Sequence, residues 1–287
     1  MKRSFRTWFL GITTLFAVLA LTLATLAWFT SNRAVQTNTA TARTGDETLE
    51  LQISRTGGSD FRSEETVTIT QVNQTDAETL MPVSTVDLQN FIYAPFTGNG
   101  KASAFKLVEN EANYYHGRVY LRAQGEGWSS ATRLALYLDQ SDGLLGEAAS
   151  GYLLNASRLG LVFGENTSSP VILRLSETEN PENAQVYNTE VNGKTLGKNQ
   201  VLGYNGDGVY AAADLSAPVS DYTVSFTENQ MNLPAKSLLS MELGRIYSVD
   251  VYFYLEGCDP DCSESVQKNE ADLHLAFYGV LDQEGNN

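Results

Sequence analysis

The run Arg118-Val119-Tyr120-Leu121-Arg122-Ala123 alternates between two kinds of side chain at every step, and Arg133-Leu134-Ala135-Leu136-Tyr137-Leu138-Asp139 does the same. In an extended chain such alternation puts Val119, Leu121 and Ala123 on one face and Arg118, Tyr120 and Arg122 on the other. Each run therefore reads as a strand with one buried and one wetter face, as in antiparallel sheet. Residues 49–54 repeat the pattern, with Leu49, Leu51 and Ile53 against Glu50, Gln52 and Ser54, and residues 66–72 place Val67 and Ile69 opposite threonines. Further strands are expected at 159–163, 171–175, 222–226, 247–255 and 272–280. Between them stand turn formers: Gly57-Gly58, Gly98-Asn99-Gly100, Asp142-Gly143, Asn192-Gly193 and Asn205-Gly206-Asp207-Gly208. No long stretch carries a 3.6-residue period beyond the N-terminus, so the fold class is all-β, a sandwich or barrel. A short helix is expected at 263–267, and 87–91 is ambiguous.

The chain has 287 residues, enough for a sizeable core. Its 19 basic residues face 34 acidic ones, a formal net charge of −15. Such a surface repels phosphate backbones, and no basic cluster lies beyond the extreme N-terminus, so nucleic acid is excluded as a partner. Two cysteines are too few for a disulfide-dense scaffold.

Lys2, Arg3 and Arg6 precede a nearly uncharged apolar stretch that runs to Ala27. About 20 apolar residues span a bilayer core as a helix, and the basic flank stays on the cytoplasmic side. Residues 1–27 are thus a signal peptide or membrane anchor helix, and the rest is exported to the extracellular face. Thr25 and Ala27 meet the small-residue preference of a signal peptidase cutting between Ala27 and Trp28. If the segment is not cut, residues 7–29 remain in the membrane. Residues 28–47 read as an extended N-terminal segment, and 48–287 as one elaborated β domain with a polar insertion near 177–208. Three sequons begin at Asn73, Asn155 and Asn166 and carry no weight without a eukaryotic secretory pathway.

The loop Glu256-Gly257-Cys258-Asp259-Pro260-Asp261-Cys262 gathers three carboxylates and two sulfurs. A plain turn fixed by Gly257 and Pro260 is one reading. A disulfide between Cys258 and Cys262 is another, and calcium held by Glu256, Asp259 and Asp261 is a third. Asp139 and Asp142-Gly143 suggest a hairpin tip rather than a calcium loop. The two histidines, His116 and His274, form no H-E-x-x-H pattern. His116 is expected at a turn or strand edge and both are expected as ordinary surface groups. No nucleophile-elbow or Cys–His signature is present, and no catalytic residue is assigned.

The segment Ala24-Thr-Leu-Ala-Trp-Phe-Thr-Ser-Asn32, the Thr/Ala-rich stretch after it, Gly45 and the strand Thr48-Leu-Glu-Leu-Gln-Ile-Ser54 resemble the N-terminus of TasA/camelysin-type exported proteins of Gram-positive bacteria. The run Val251-Tyr-Phe-Tyr-Leu-Glu-Gly-Cys-Asp-Pro-Asp-Cys262 and the strand Ala271-Asp-Leu-His-Leu-Ala-Phe277 are similar to the closing hairpin of clostridial-type surface proteins with this signal. The resemblance is confined to these two ends. It implies a jelly-roll-like β-sandwich, a dedicated signal peptidase, and for some relatives a biofilm fibre in which each subunit donates its N-terminal strand to the next. Trp28, Phe29 and Val35 are the donor-strand candidates here. Pairing of that segment within its own domain is the alternative. The expected function is a surface or matrix structural protein, self-assembling into a homopolymer through the N-terminal strand. A monomeric adhesin and, less favoured, a camelysin-like metallopeptidase are the alternatives.

Overall fold

A strand covered on both faces must be apolar throughout, whereas one covered on a single face alternates, and both kinds occur here. The computed structural model describes residues 36–39, 41–44, 47–63, 67–68, 70–72, 80–94, 104–109, 113–126, 128–129, 131–139, 153–164, 169–178, 190–191, 194–197, 199–227, 230–262 and 274–282. The chain divides into residues 1–34, none of them described, and a unit spanning 35–287.

The first strands are β1 (Gln36–Thr39), β2 (Thr41–Thr44), β3 (Glu47–Ser54), β4 (Val67–Thr68), β5 (Thr70–Gln71), β6 (Pro82–Val83), β7 (Ile92–Tyr93) and β8 (Lys106–Leu107). Next come β9 (Tyr115–Glu126), β10 (Arg133–Asp139), the single helical turn α1 (Leu153–Ala156), β11 (Ser157–Phe163) and β12 (Val171–Arg174). Two hairpins follow, β13 (Glu190–Val191) with β14 (Lys194–Thr195), and β15 (Gln200–Tyr204) with β16 (Val209–Ala213). The chain ends through β17 (Ala217–Pro218), β18 (Thr223–Thr227), β19 (Gln230–Asn232), β20 (Leu239–Glu242), β21 (Ile246–Glu256) and β22 (His274–Leu281). The protein is all-β: strands form at every stretch expected from alternation, and β10 has the expected bounds.

Two large sheets carry the fold. The first runs β19-β18-β10-β22-β1-β4, with β20 also on β10. The second runs β17-β12-β11-β21-β9-β3-β2, with β5 on β9 and β6 on β21. Leu134, Leu136, Leu138 and Phe277 of the first sheet and Leu121, Val249, Val251 and Leu161 of the second fall in one buried cluster. The two sheets therefore face each other across a common core. Each such side chain contributes about 1.5–3 kcal/mol on burial.

The far face of the second sheet is also covered. Val83, Leu88, Phe91 and Tyr114 pack there on Val162, Ile172 and Tyr254. This second layer is why β11 is buried at all seven positions. Gly160 makes room for it, since a Cβ there would meet Leu88 Cδ1 at 2.6 Å. Polar residues of this face are thus enclosed, which sets up the sites below.

Within the segment expected to be extended, 28–47, the described residues form strands that pair inside the chain. β1 lies parallel on β22, and β2 lies antiparallel on β3. Trp28, Phe29 and Val35, the Ala27/Trp28 cleavage point, the N-terminal helix and the 263–267 helix all lie outside the described residues. No helix among the described residues is long and apolar enough to cross a membrane.

Candidate functional site

The turn after β21 is closed by backbone bonds, Asp259 N–H to Glu256 O at 3.0 Å and Cys262 N–H to Asp259 O at 2.9 Å. On the neighbouring strand, Arg158 stands opposite Tyr254. From there Arg158 Nη2 donates to Asp259 Oδ2 at 2.7 Å, and Nη1 donates to the carbonyls of Asn155 and Ser157. Asp214 Oδ2 adds a second carboxylate at 3.7 Å. Arg158 is only 3% exposed. Burial opposes its charge, but Asp259, Glu256 and Asp214 outweigh burial and hold the guanidinium protonated.

Glu256 is 2% exposed, and its Oε1 accepts from the Cys258 amide at 3.0 Å. Burial pushes its carboxyl up to about 7, partly offset by the Arg158 charge and by hydrogen bonds from the Cys258 amide and the Ser84 hydroxyl. Asp261 Oδ2 accepts from Asn155 Nδ2 at 3.1 Å. Of the carboxylates singled out for calcium, Asp259 and Glu256 thus face the Arg158 charge, and Asp261 is bonded to the Asn155 amide. Among the described residues no group of three or more His, Cys, Asp or Glu could hold a metal ion.

Cys258 and Cys262 are free thiols in this structure. They enter different apolar clusters, Cys258 with Ile92, Leu196 and Leu202, and Cys262 against Leu153, Ala156 and Leu255. Burial pushes the Cys258 thiol well above its usual range and the Cys262 thiol up to about 12. A reactive cysteine needs the opposite shift. Beside the turn, a cavity of about 40 Å³ lies between Arg158, Arg174, Thr178 and Asp214, room for a few waters rather than a large ligand.

A second, partly buried cluster sits on the same face. The β9–β21 register sets Arg118 opposite Asp250 and His116 opposite Tyr252. Arg118 grips Asp250 with Nε at 2.7 Å and Nη2 at 2.8 Å. His116 Nε2 lies 3.1 Å from Asp250 Oδ1, and its ring stacks on Tyr252 with centroids 4.2 Å apart. Burial works against the Asp250 carboxylate, yet His116 and Arg118 more than offset it and hold its pKa below the usual range. His116 is therefore a buried strand residue, 7% exposed, rather than a surface group at a turn. His274 opens β22.

Sequence reasoning missed Arg158, Asp214 and the His116–Asp250–Arg118 cluster. The signal for them was a lone charge inside an apolar run, Arg158 before Leu159 and Asp250 amid 247–255. Such a charge must be paired if the strand is covered on both faces.

The remaining candidate is an edge rather than a pocket. β22 is paired with β10 over six residue pairs, Leu134↔Leu281 to Asp139↔Ala276. On its other side it holds β1 by four parallel pairs, Gln36↔His274 to Thr39↔Phe277. β1 in turn meets β4 at only two positions. No family model, curated protein or solved structure matches this chain.

Proposed function

We propose that the protein is an exported surface or extracellular-matrix structural protein, a jelly-roll-like β-sandwich whose copies join by exchanging strand β1. The observation that carries this reading is the seat of β1 on β22. β1 is N-terminal to every other described strand, so it can leave without unthreading the fold. Its departure uncovers the main-chain groups of β22, and β1 of a neighbouring copy restores the same four pairs. The basic, then apolar, N-terminus supports export, and the excess of carboxylates supports solubility outside the cell.

The test is electron microscopy of the chain from Trp28 beside a chain from Thr41, which lacks β1 and keeps β2. Filaments from the longer chain alone are expected. Particles of a single size from both would overturn the reading in favour of a monomeric binding domain.

A further inference from the structure

The geometry points to β16 as an edge at which two copies of this chain pair antiparallel about Ala211. The backbone of the β15–β16 hairpin fixes which groups face outward. Asp214 N–H donates to Asn199 O at 2.8 Å, and Asn205 N–H donates to Gly208 O at 3.4 Å. In an antiparallel ladder bonded and non-bonded pairs alternate. Val201↔Ala212 and Gly203↔Tyr210 are therefore bonded pairs, whereas Leu202↔Ala211 is not. On the β15 side this is visible directly, because Leu202 N–H donates to Ser84 Oγ at 3.0 Å instead. On the β16 side, Val209, Ala211 and Ala213 turn N–H and C=O away from β15. Among the described residues no strand pairs with that edge.

The edge is self-complementary. A two-fold axis at Ala211 sets Val209 opposite the second copy's Ala213 and Ala211 opposite its counterpart, overlapping all five residues. Three bonded pairs then form from the outward groups. Tyr210 comes opposite the small Ala212, and its ring is already folded back over β15. There, a Cβ on Gly203 would meet Tyr210 Cζ at 2.7 Å. Ala211 and Ala213 are themselves exposed and small.

Charge fits the same register. β16 carries none, on a chain of net charge −15. Its flanking acids fall opposite neutral residues, Asp207 facing Leu215 and Asp214 facing Gly208, so no like charges oppose. The edge has none of the usual guards against pairing, neither lysine nor proline. Stable interfaces bury about 1,200–2,000 Å², and five paired residues bury less. The pairing is accordingly weak in dilute solution and gains from copies held side by side, as on a surface or along a fibre. It does not depend on exchange of β1.

The test compares Ala211→Cys with Ala212→Cys in the full chain under mild oxidation. Antiparallel bonded pairs have Cα atoms about 5.5 Å apart, within disulfide reach. Covalent dimer is expected at least about fivefold more from Ala211→Cys than from Ala212→Cys, because only residue 211 meets itself. Equal yields would overturn the proposal. Ala211→Pro is the second arm, since the lost N–H is not used within the hairpin. It should remove concentration-dependent association in sedimentation while leaving the melting temperature unchanged, and undiminished association would overturn the proposal. A chain from Thr41 should still form the Ala211→Cys dimer, which separates this contact from β1 exchange.

Discussion

Arg158 on β11 and Asp259 in the turn after β21 are joined by an Nη2–Oδ2 hydrogen bond of 2.7 Å, although they are 101 positions apart in sequence. The guanidinium also binds two carbonyls at the end of α1. One side chain thus fastens a helical turn, a central strand and the β21 turn, with Asp214 close by. Its worth lies less in the pair than in what its loss would leave behind, namely buried carboxylates with no counter-charge.

Arg158→Met should therefore destabilise the fold by about 3–5 kcal/mol, the range for breaking a buried pair on one side. Urea unfolding at neutral pH measures it. A change below about 1 kcal/mol would mean that water, not Arg158, compensates Asp259 and Asp214.

Glu256 gives a pH signature. Its folded pKa of about 7 lies above the ordinary 4.5, so the fold prefers the protonated form. The preference is fully felt below about 4.5, and stability is lost as pH rises from there through 7. A shift of that size is worth about 3 kcal/mol by pH 9. Glu256→Gln cannot ionise, so it should be more stable than the parent at pH 9 and nearly equal to it at pH 5. An identical offset at both pH values would contradict the assignment.

The strands were legible because alternation reports one covered face, as in Leu134, Leu136 and Leu138 of β10. The second layer was not legible, because Val83 sits in a two-residue strand and Leu88 and Phe91 in irregular chain, too short or too irregular to show a period. That omission explains the site errors together. Without the layer, His116 reads as an ordinary surface group and the 256–262 carboxylates as open to calcium. With it, they are enclosed and must be matched internally. The cysteine spacing, for its part, is silent on which cluster each thiol enters.

Gly160 tests the layer itself. Leu88 sits directly over it and has φ at 55°, a left-handed value uncommon for a residue other than glycine. Gly160→Ala should cost about 1–3 kcal/mol by overpacking. In a Leu88→Ala background the same change should cost clearly less, because the two sites share one space. Additive effects in thermal unfolding of the parent and the three variants would show that Leu88 yields freely.

Asp250 should behave opposite to Glu256. Its pKa is depressed by His116 and Arg118, so its stabilisation is present above the unfolded carboxylate value and is lost as pH falls below it. Asp250→Asn removes the charge that Arg118 grips with two bonds, and should cost about 2 kcal/mol at pH 7. At pH 3 the parent's own Asp250 is losing that advantage, so the gap between variant and parent should narrow. Denaturant unfolding at the two pH values decides it. A gap that stays constant would assign the loss to altered packing beside Tyr252 instead of to the charge.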